Sequence, residues 1–406
     1  MSKLSPESGC ILPFIALSLE PGGRAKPCCK FGQWSNEPNA NSASLAEMMN
    51  SVNMNSLRQE FLKGGKPAGC ARCFNDEAAG LESMRQSRNH FYHDLISEEN
   101  MQNPKAQIVD FGFGNTCNAA CVTCSSDSSS LWIRDEKKLC AMEDAKFNRT
   151  PREVTHEVYP WSDADLQGLK TVSLMQTETL INPELGKFLK RVTALGGQDK
   201  RKVELSTNGQ HFPDPEVVAD LFSFGKFDLQ FSIDGIGERN DYLRYPLKFA
   251  LIERNIHRWL ALAQGRTGQL VICRCTVSIY NILYLREIND WWESIRATDD
   301  RNVIEPLQFG FALYPTYLSP TILPPQIKKM AYEKFPHKFL SGLINRTLEP
   351  SQVGIAPLVE PLKSFFEFTR NLDSIRRLDA RKTFPELFSA LDELQSAHSP
   401  SLAQSR

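Results

Sequence analysis

Three closely spaced cysteines are the part of the sequence best suited to chemistry. Cys117, Cys121 and Cys124 stand in the stretch CNAACVTC, directly after a run of residues typical of a β-strand. Reduced thiolates are preferred ligands of soft metals and of iron–sulfur centres. Three thiolates on one loop can converge on a 4Fe-4S cluster and leave its fourth iron without a protein ligand. A zinc site and inert packed cysteines are the alternatives.

An iron without a protein ligand can carry out a specific reaction. It can chelate the amino and carboxylate groups of S-adenosylmethionine (SAM) and pass an electron to the sulfonium. Cleavage of SAM then gives a 5′-deoxyadenosyl radical, which abstracts a hydrogen atom from a substrate. The cofactors carry this chemistry, and the protein has to place and shield them.

The elements that would position the cysteine loop alternate regularly from residue 108 onwards. Short β-branched or aromatic runs alternate with amphipathic segments, which predicts parallel βα units. Six strands fit an α/β fold with a partial (βα)6 barrel better than a full barrel of eight. Helices are predicted from Pro183, after Pro213, and over 246–263 and 285–297. The predicted strands are 108–114, 169–175, 202–209, 227–235, 270–279 and 307–314.

Polar residues follow four consecutive predicted strands. The cysteine loop follows the first strand, Gln176, Thr177 and Glu178 follow the second, Asn208 ends the third and Ser232 the fourth. Each group alone is also explained as a turn or a helix cap. Because ligands of parallel βα folds bind at the carboxyl ends of the strands, their coincidence predicts one site.

With these motifs the sequence resembles the radical SAM superfamily, specifically its members with SPASM or twitch auxiliary-cluster domains. CNAACVTC matches the family's CxxxCxxC motif, with Thr123 where the family usually has an aromatic residue. The stretch 176–179, QTET, stands where the family has Gly-Gly-Glu-Pro, which receives the SAM amino group. The resemblance implies that residues of three strand ends and Arg244 bind SAM: Gln176, Thr177, Glu178, Asn208, Ser232 at the ribose and Arg244 at the carboxylate.

The cysteines near the start of the chain resemble a SPASM or twitch domain placed before the barrel. By that resemblance Cys10, Cys28, Cys70 and Cys73 hold a second, auxiliary 4Fe-4S cluster, and Cys29 is an alternative to Cys28. Four cysteines with a closing CxxC also describe structural zinc. Cys273 and Cys275 carry no motif and share one face of a predicted strand. We expect them to be buried inert thiols, with hydrogen donation to a substrate radical as the alternative.

The charge and the hydropathy of the sequence argue against nucleic acid and membranes as partners. The net charge is -1 and there is no basic cluster, which argues against nucleic acid as a partner. No apolar run is long enough to span a membrane, and the start is a poor signal peptide, so we expect a cytoplasmic protein. We divide the chain into an auxiliary-cluster domain at 1–100, the barrel at 101–315, a helical region at 316–398 and a disordered tail at 399–406.

The resemblance implies a radical SAM enzyme of the oxidoreductase or maturase type. Its expected substrate is a peptide or protein side chain, and its expected electron donor is a flavodoxin or ferredoxin. A small-molecule substrate, such as a sugar or a cofactor precursor, is an alternative. Because QTET departs from the family motif, a cluster-binding protein without enzymatic activity is another.

Overall fold

The computed structural model describes most of the chain. It covers residues 4–398 apart from 6, 33, 35–36, 143–150, 152–153, 155–158, 160 and 346–355. The tail predicted to be disordered, 399–406, lies outside the described residues.

One sheet of eight strands organises the described chain. Its order is β2-β1-β3-β4-β5-β6-β7-β8, and it does not close on itself. All neighbouring strands are parallel except β1 and β2. The six predicted strands are β3 to β8, so the α/β class with a partial barrel is confirmed. The strands are β1 (Ala16–Leu19), β2 (Ala25–Lys26), β3 (Ile108–Asp110), β4 (Thr171–Leu174), β5 (Lys202–Thr207), β6 (Lys226–Ser232), β7 (Gln269–Val277) and β8 (Gln308–Phe311).

The N-terminal region contributes more regular structure than the expected loops. Strand β1 extends the barrel sheet by pairing in parallel with β3, with Ser18 opposite Asp110. Ser44 and Ser83 each start a helix with a capping box, in which the serine hydroxyl accepts from the backbone of the third helical residue. The division of the chain into separate domains stays a prediction.

The helices follow the predicted segments closely after residue 180. The helix expected at Pro183 has that residue as its N-cap, and the one after Pro213 begins at Pro215. The α-helices are α1 (Leu12–Ile15), α2 (Leu45–Met49), α3 (Val52–Leu62), α4 (Ala71–Ala78), α5 (Met84–Phe91), α6 (Glu98–Gln102), α7 (Trp132–Cys140), α8 (Asp163–Gln167), α9 (Glu184–Ala194), α10 (Pro215–Phe222), α11 (Glu238–Leu243), α12 (Phe249–Ala263), α13 (Leu285–Arg296), α14 (Pro325–Lys334), α15 (Lys338–Asn345), α16 (Ala356–Arg376), α17 (Ala380–Thr383) and α18 (Pro385–His398).

The two faces of the sheet differ in chemistry. Phe227 of β6 packs against Phe222 of α10 and Trp259 of α12, with ring centroids 5.2 and 6.1 Å away. The face of Phe227 is therefore the outer one. Because side chains alternate along a strand, Asp228 and Ser232 lie on the inner face.

The same alternation places the two cysteines of β7. Cys273 is paired with Phe231, and neither Cys273 nor Cys275 is exposed to solvent. Both thiols therefore pack in the outer layer, as expected for inert cysteines.

Helix α5 covers the amino-terminal end of the strands. Lys202, the first residue of β5, has its amine 4.3 Å from the ring centroid of Phe91. Arg88 Nη1 lies 3.3 Å from Glu204 Oε1 on the same strand. The cysteine loop lies at the opposite, carboxyl end of the strands, where it follows β3. None of the described helices is both long and apolar enough to cross a bilayer.

Candidate functional site

The cysteine loop is fixed to the segment that follows α11. Ala120 N donates to the carbonyl of Tyr245 at 2.6 Å, and Val122 N donates to the carbonyl of Leu243 at 2.8 Å. The loop follows β3 directly, and these two bonds hold it beside Arg244, the residue after the end of α11.

The three thiols of the loop lie close to one another. Cys121 is buried, Cys117 half-buried and Cys124 exposed. Burial is the main cause that raises the pKa of Cys117 to about 12, with the nearby Cys121 and Glu178 adding to it. Cys124 hydrogen-bonds to Cys121, which raises the pKa of Cys124 and lowers that of Cys121. Three neighbouring cysteines on one loop are a donor set suited to an iron–sulfur cluster, which binds them as thiolates and thereby releases their protons.

The ligand assignment itself stays a prediction. Among the described residues, no three Cys, His, Asp or Glu side chains have the spacing of a single-ion site.

Arg244, which the resemblance assigns to the SAM carboxylate, lies beside the cysteine loop and has an ion-pair partner within the chain. Its Nη1 lies 3.9 Å from Cys121 Sγ, and its Nε lies 2.8 Å from Asp234 Oδ2. Burial opposes its charge, but the Asp234 carboxylate and Cys121 raise the pKa of Arg244 above its ordinary value. A guanidinium has five N–H donors, so the contact with Asp234 leaves donors for a second carboxylate.

Glu178 and Asn208 connect three of the predicted strand ends. Glu178 accepts hydrogen bonds from the Thr207 hydroxyl at 2.8 Å and from Asn208 N at 2.7 Å. Asn208 Nδ2 donates to Asn118 Oδ1 in the cysteine loop at 2.7 Å. The sequence predicted that Glu178, Asn208 and the cysteine loop belong to one site. The hydrogen bonds connect Glu178 to Asn208 and Asn208 to the cysteine loop.

The ionisation of Glu178 predicts a pH dependence. Burial raises the pKa of Glu178 to about 7, against an ordinary value of 4.5, although bonds from Asn208 and Thr207 lower it. The folded protein thus holds this proton more tightly than the unfolded chain. We expect Glu178 to lower the free energy of unfolding by roughly 2–3 kcal/mol as the pH rises from about 5 to about 8.

The measurement is urea unfolding at about pH 5 and about pH 8. Glu178→Gln should remove this part of the pH dependence, whereas Glu333→Gln, an exposed control on α14, should leave it unchanged. An equal pH dependence in wild type and Glu178→Gln would contradict the assignment.

Three residues predicted to contact SAM remain. Gln176 and Ser232 bond to residues of the inner face, and Thr177 lies in a strained turn. Gln176 Nε2 donates to Asp110 Oδ2 at 2.7 Å, and Ser232 Oγ is 3.4 Å from Ser206 Oγ. Both side chains thus contact inner-face residues of the sheet. Thr177 has a φ of 51°, a region that favours glycine, and it stands where the related motif has its second glycine.

A second cysteine cluster lines a small cavity in the N-terminal region. Cys10, Cys28, Cys70 and Cys73 all line it, whereas Cys29 is not among its lining residues. Burial raises the pKa of Cys10 to about 12 and that of Cys70 to about 12, and neighbouring thiols of the cavity add to both shifts. Four thiols facing one space are the donor set of a fully ligated iron–sulfur cluster.

Sequence reasoning missed one residue that holds the cysteine loop. Arg376, the last residue of α16, donates from Nη2 to the carbonyl of Ala120 at 2.8 Å. Its Nε lies 2.9 Å from Asp135 Oδ2 of α7. Its guanidinium carbon lies 4.6 Å from the ring centroid of Trp132 and 4.8 Å from that of Tyr245. The pattern of α16 predicted a helix but gave no signal for this contact.

The parallel sheet carries a CxxxCxxC loop after β3 and polar groups at the neighbouring strand ends. Residues 112–271 match the family model described as Radical SAM superfamily. No curated protein matches the chain.

Several solved structures match the chain at low identity and with low TM-scores. Native anSMEcpe with bound AdoMet is 16% identical, over 56% of this chain and 59% of that one, with a TM-score of 0.36. The same protein with AdoMet and Cp18Cys peptide is 17% identical, over 58% and 61%, with a TM-score of 0.35. Streptococcus suis SuiB bound to precursor peptide SuiA is 12% identical, over 82% and 64%, with a TM-score of 0.34. The chain spans about three fifths of the length of these structures.

Proposed function

We propose that the chain is a radical SAM enzyme. Cys117, Cys121 and Cys124 would hold a 4Fe-4S cluster, which when bound supplies the electron that cleaves SAM to a 5′-deoxyadenosyl radical for hydrogen abstraction from a substrate. The observation that carries the proposal is the contact of the cysteine loop with Asn208 and Arg244, at the carboxyl ends of neighbouring strands.

The residues of the chain have separable tasks in this reaction. The bonds from Ala120 and Val122 hold the cysteine loop still. Arg244 places a positive charge beside Cys121, which favours anionic ligands at that end of the sheet. Asn208 ties the loop to β5. The polar inner face of the sheet then receives the substrate below the loop.

The test is SAM cleavage by reduced protein that has been reconstituted without oxygen. We expect 5′-deoxyadenosine to form, as measured by chromatography. An intact cluster that yields no product would instead favour the cluster-binding protein without activity, for which the strained Thr177 is the structural argument.

We further propose a peptide or protein side chain as the substrate, in a reaction of the maturase type. The support is the motif resemblance to family members with auxiliary clusters. Oxidation of a small metabolite is the alternative. A flavodoxin or ferredoxin is the proposed electron donor. The reducing cytoplasm is the proposed location, because none of the eleven cysteines forms a disulfide bond.

The cavity lined by the N-terminal cysteines is the proposed site of a second 4Fe-4S cluster. Cys10, Cys28, Cys70 and Cys73 would be its ligands. We expect the wild type to contain about eight irons, as two such clusters require. Cys70→Ala and Cys28→Ala should each reduce this to about four irons.

Cys29→Ala is the matched control, because the Cys29 thiol contacts Met84 Sδ at 3.9 Å and does not line the cavity. It should keep the full iron content in an iron and sulfide determination. Zinc in place of iron, or equal iron loss in Cys28→Ala and Cys29→Ala, would refute this ligand set.

A further inference from the structure

The inner face of the sheet carries several charges, and most of them are paired. Lys202 Nζ lies 2.9 Å from Glu204 Oε1 and 2.5 Å from Asp228 Oδ2. Arg88 also reaches Glu204, at 3.3 Å. Two cations and two carboxylates therefore neutralise one another near the amino end of the strands.

Arg274 of β7 is different. In the sheet register it pairs with Ser232 of β6 and with Gln308 of β8, so all three side chains share the inner face. Its Nη2 donates to Gln308 Oε1 at 2.7 Å. Within the part of the chain that the structure describes, no carboxylate lies within ion-pair distance of Arg274.

Arg274 has charged groups near it but no ion-pair partner among the described residues. Its side chain is exposed to solvent. Desolvation and the positive charge of Arg88 lower its pKa, whereas Cys29 and Glu204 act in the opposite direction. A guanidinium without an ion-pair partner is stabilised by an anion that binds beside it.

The position of Arg274 separates it from Arg244, the proposed contact of the SAM carboxylate. Arg244 is the cation beside the cysteine loop, 3.9 Å from Cys121 Sγ. Arg274 lies on β7, next to Ser232 near the end of β6. A substrate group bound by Arg274 would lie on the inner face, level with Ser232, the proposed contact of the SAM ribose. A substrate has to reach this level to meet the radical.

We infer that Arg274 binds a carboxylate of the substrate, so that the enzyme acts on peptides with an acidic side chain or a free C-terminus near the modified residue. This inference rests on the proposed function. The planar guanidinium binds a carboxylate through two parallel hydrogen bonds, and it does so better than lysine. The Gln308 amide fixes one side of the fork and leaves the other donors free.

The test measures binding of three acetylated pentapeptides by calorimetry at low salt. The first has a central glutamate and an amidated C-terminus, the second has glutamine instead, and the third has glutamine with a free C-terminal carboxylate. Reconstituted wild type should bind the glutamate or the free-carboxylate peptide about tenfold more tightly than the neutral one. The stronger of the two identifies the source of the carboxylate.

Three variants complete the test. Arg274→Gln should bind all three peptides equally, and Arg274→Lys should keep only part of the preference. Arg254→Gln, an exposed control on the outer helix α12, should behave as the wild type.

Equal binding of all peptides by the wild type, or an unchanged preference in Arg274→Gln, would overturn the inference. A loss of SAM affinity in Arg274→Gln without a peptide preference in the wild type would also overturn it and assign Arg274 to SAM. Peptide binding does not require SAM cleavage. The proposed function therefore fails separately, by the absence of 5′-deoxyadenosine from wild-type protein.

Discussion

Cys121→Ala is expected to abolish SAM cleavage and to remove about four of about eight irons. Cys121 is the buried thiol of the loop, and it contacts both Cys124 and Arg244. With only two cysteines left in the loop, the cluster loses a corner that no neighbouring described thiol is placed to supply. The measurement combines iron and sulfide content with the yield of 5′-deoxyadenosine from reduced protein.

The matched control for this variant is Cys140→Ala. Cys140 is exposed at the end of α7 and lies outside the motif, so its replacement should leave both the iron content and the product yield unchanged. Turnover that survives in Cys121→Ala would contradict the ligand assignment. Loss of turnover in both variants would show a general sensitivity to cysteine replacement.

The strands of the barrel were predictable because they are short, β-branched and separated by helical segments. The periodicity of β3 to β8 is visible in the sequence, and all six strands occur. Strand β1 was missed because its apolar residues merge with the preceding turn of helix α1 into one run. Its partner β3 also lies about ninety residues later in the chain, and local pattern carries no information on such pairing.

The candidate site was predictable where spacing alone defines it. The CxxxCxxC motif and the polar strand ends were visible in the sequence, and the bond between Asn208 and Asn118 joins two of them. The sequence could not decide between Cys28 and Cys29, because the local backbone determines which of two adjacent side chains faces the cavity. Cys28 lines it and Cys29 does not. The ion pair of Arg244 with Asp234 also depends on tertiary packing.

Alternation along β7 indicates which face Arg274 occupies, but not which charges face it. The lack of an ion-pair partner for Arg274 depends on the pairing of Glu204 with Arg88 of α5 and of Asp228 with Lys202 of β5. Sequence reasoning therefore finds ligands that lie on one loop and misses residues whose role depends on distant partners.

Arg376→Met is expected to destabilise the fold by about 2–3 kcal/mol, because the buried Asp135 carboxylate loses its buried partner and keeps only the more exposed Arg134. The side chains of Arg376 and Asp135 are both 0% exposed. The variant also removes the donor to the Ala120 carbonyl, inside the cysteine loop. Urea unfolding measures the first effect. Iron content measures the second, which should fall at the SAM site.

Arg381→Ala is the matched control, because Arg381 forms an exposed ion pair with Asp392 at 2.7 Å, with side chains 56% and 41% exposed. Its removal should change the free energy of unfolding by about 0–1 kcal/mol. Arg376→Met combined with Asp135→Leu should recover much of the lost stability, since no buried charge remains.

The double variant should nevertheless keep the iron deficit, because the Ala120 carbonyl still lacks its donor. This pattern separates an effect on the cysteine loop from a general loss of stability. Arg376→Met as stable as Arg381→Ala, or a double variant with full iron content, would show that α16 does not hold the loop.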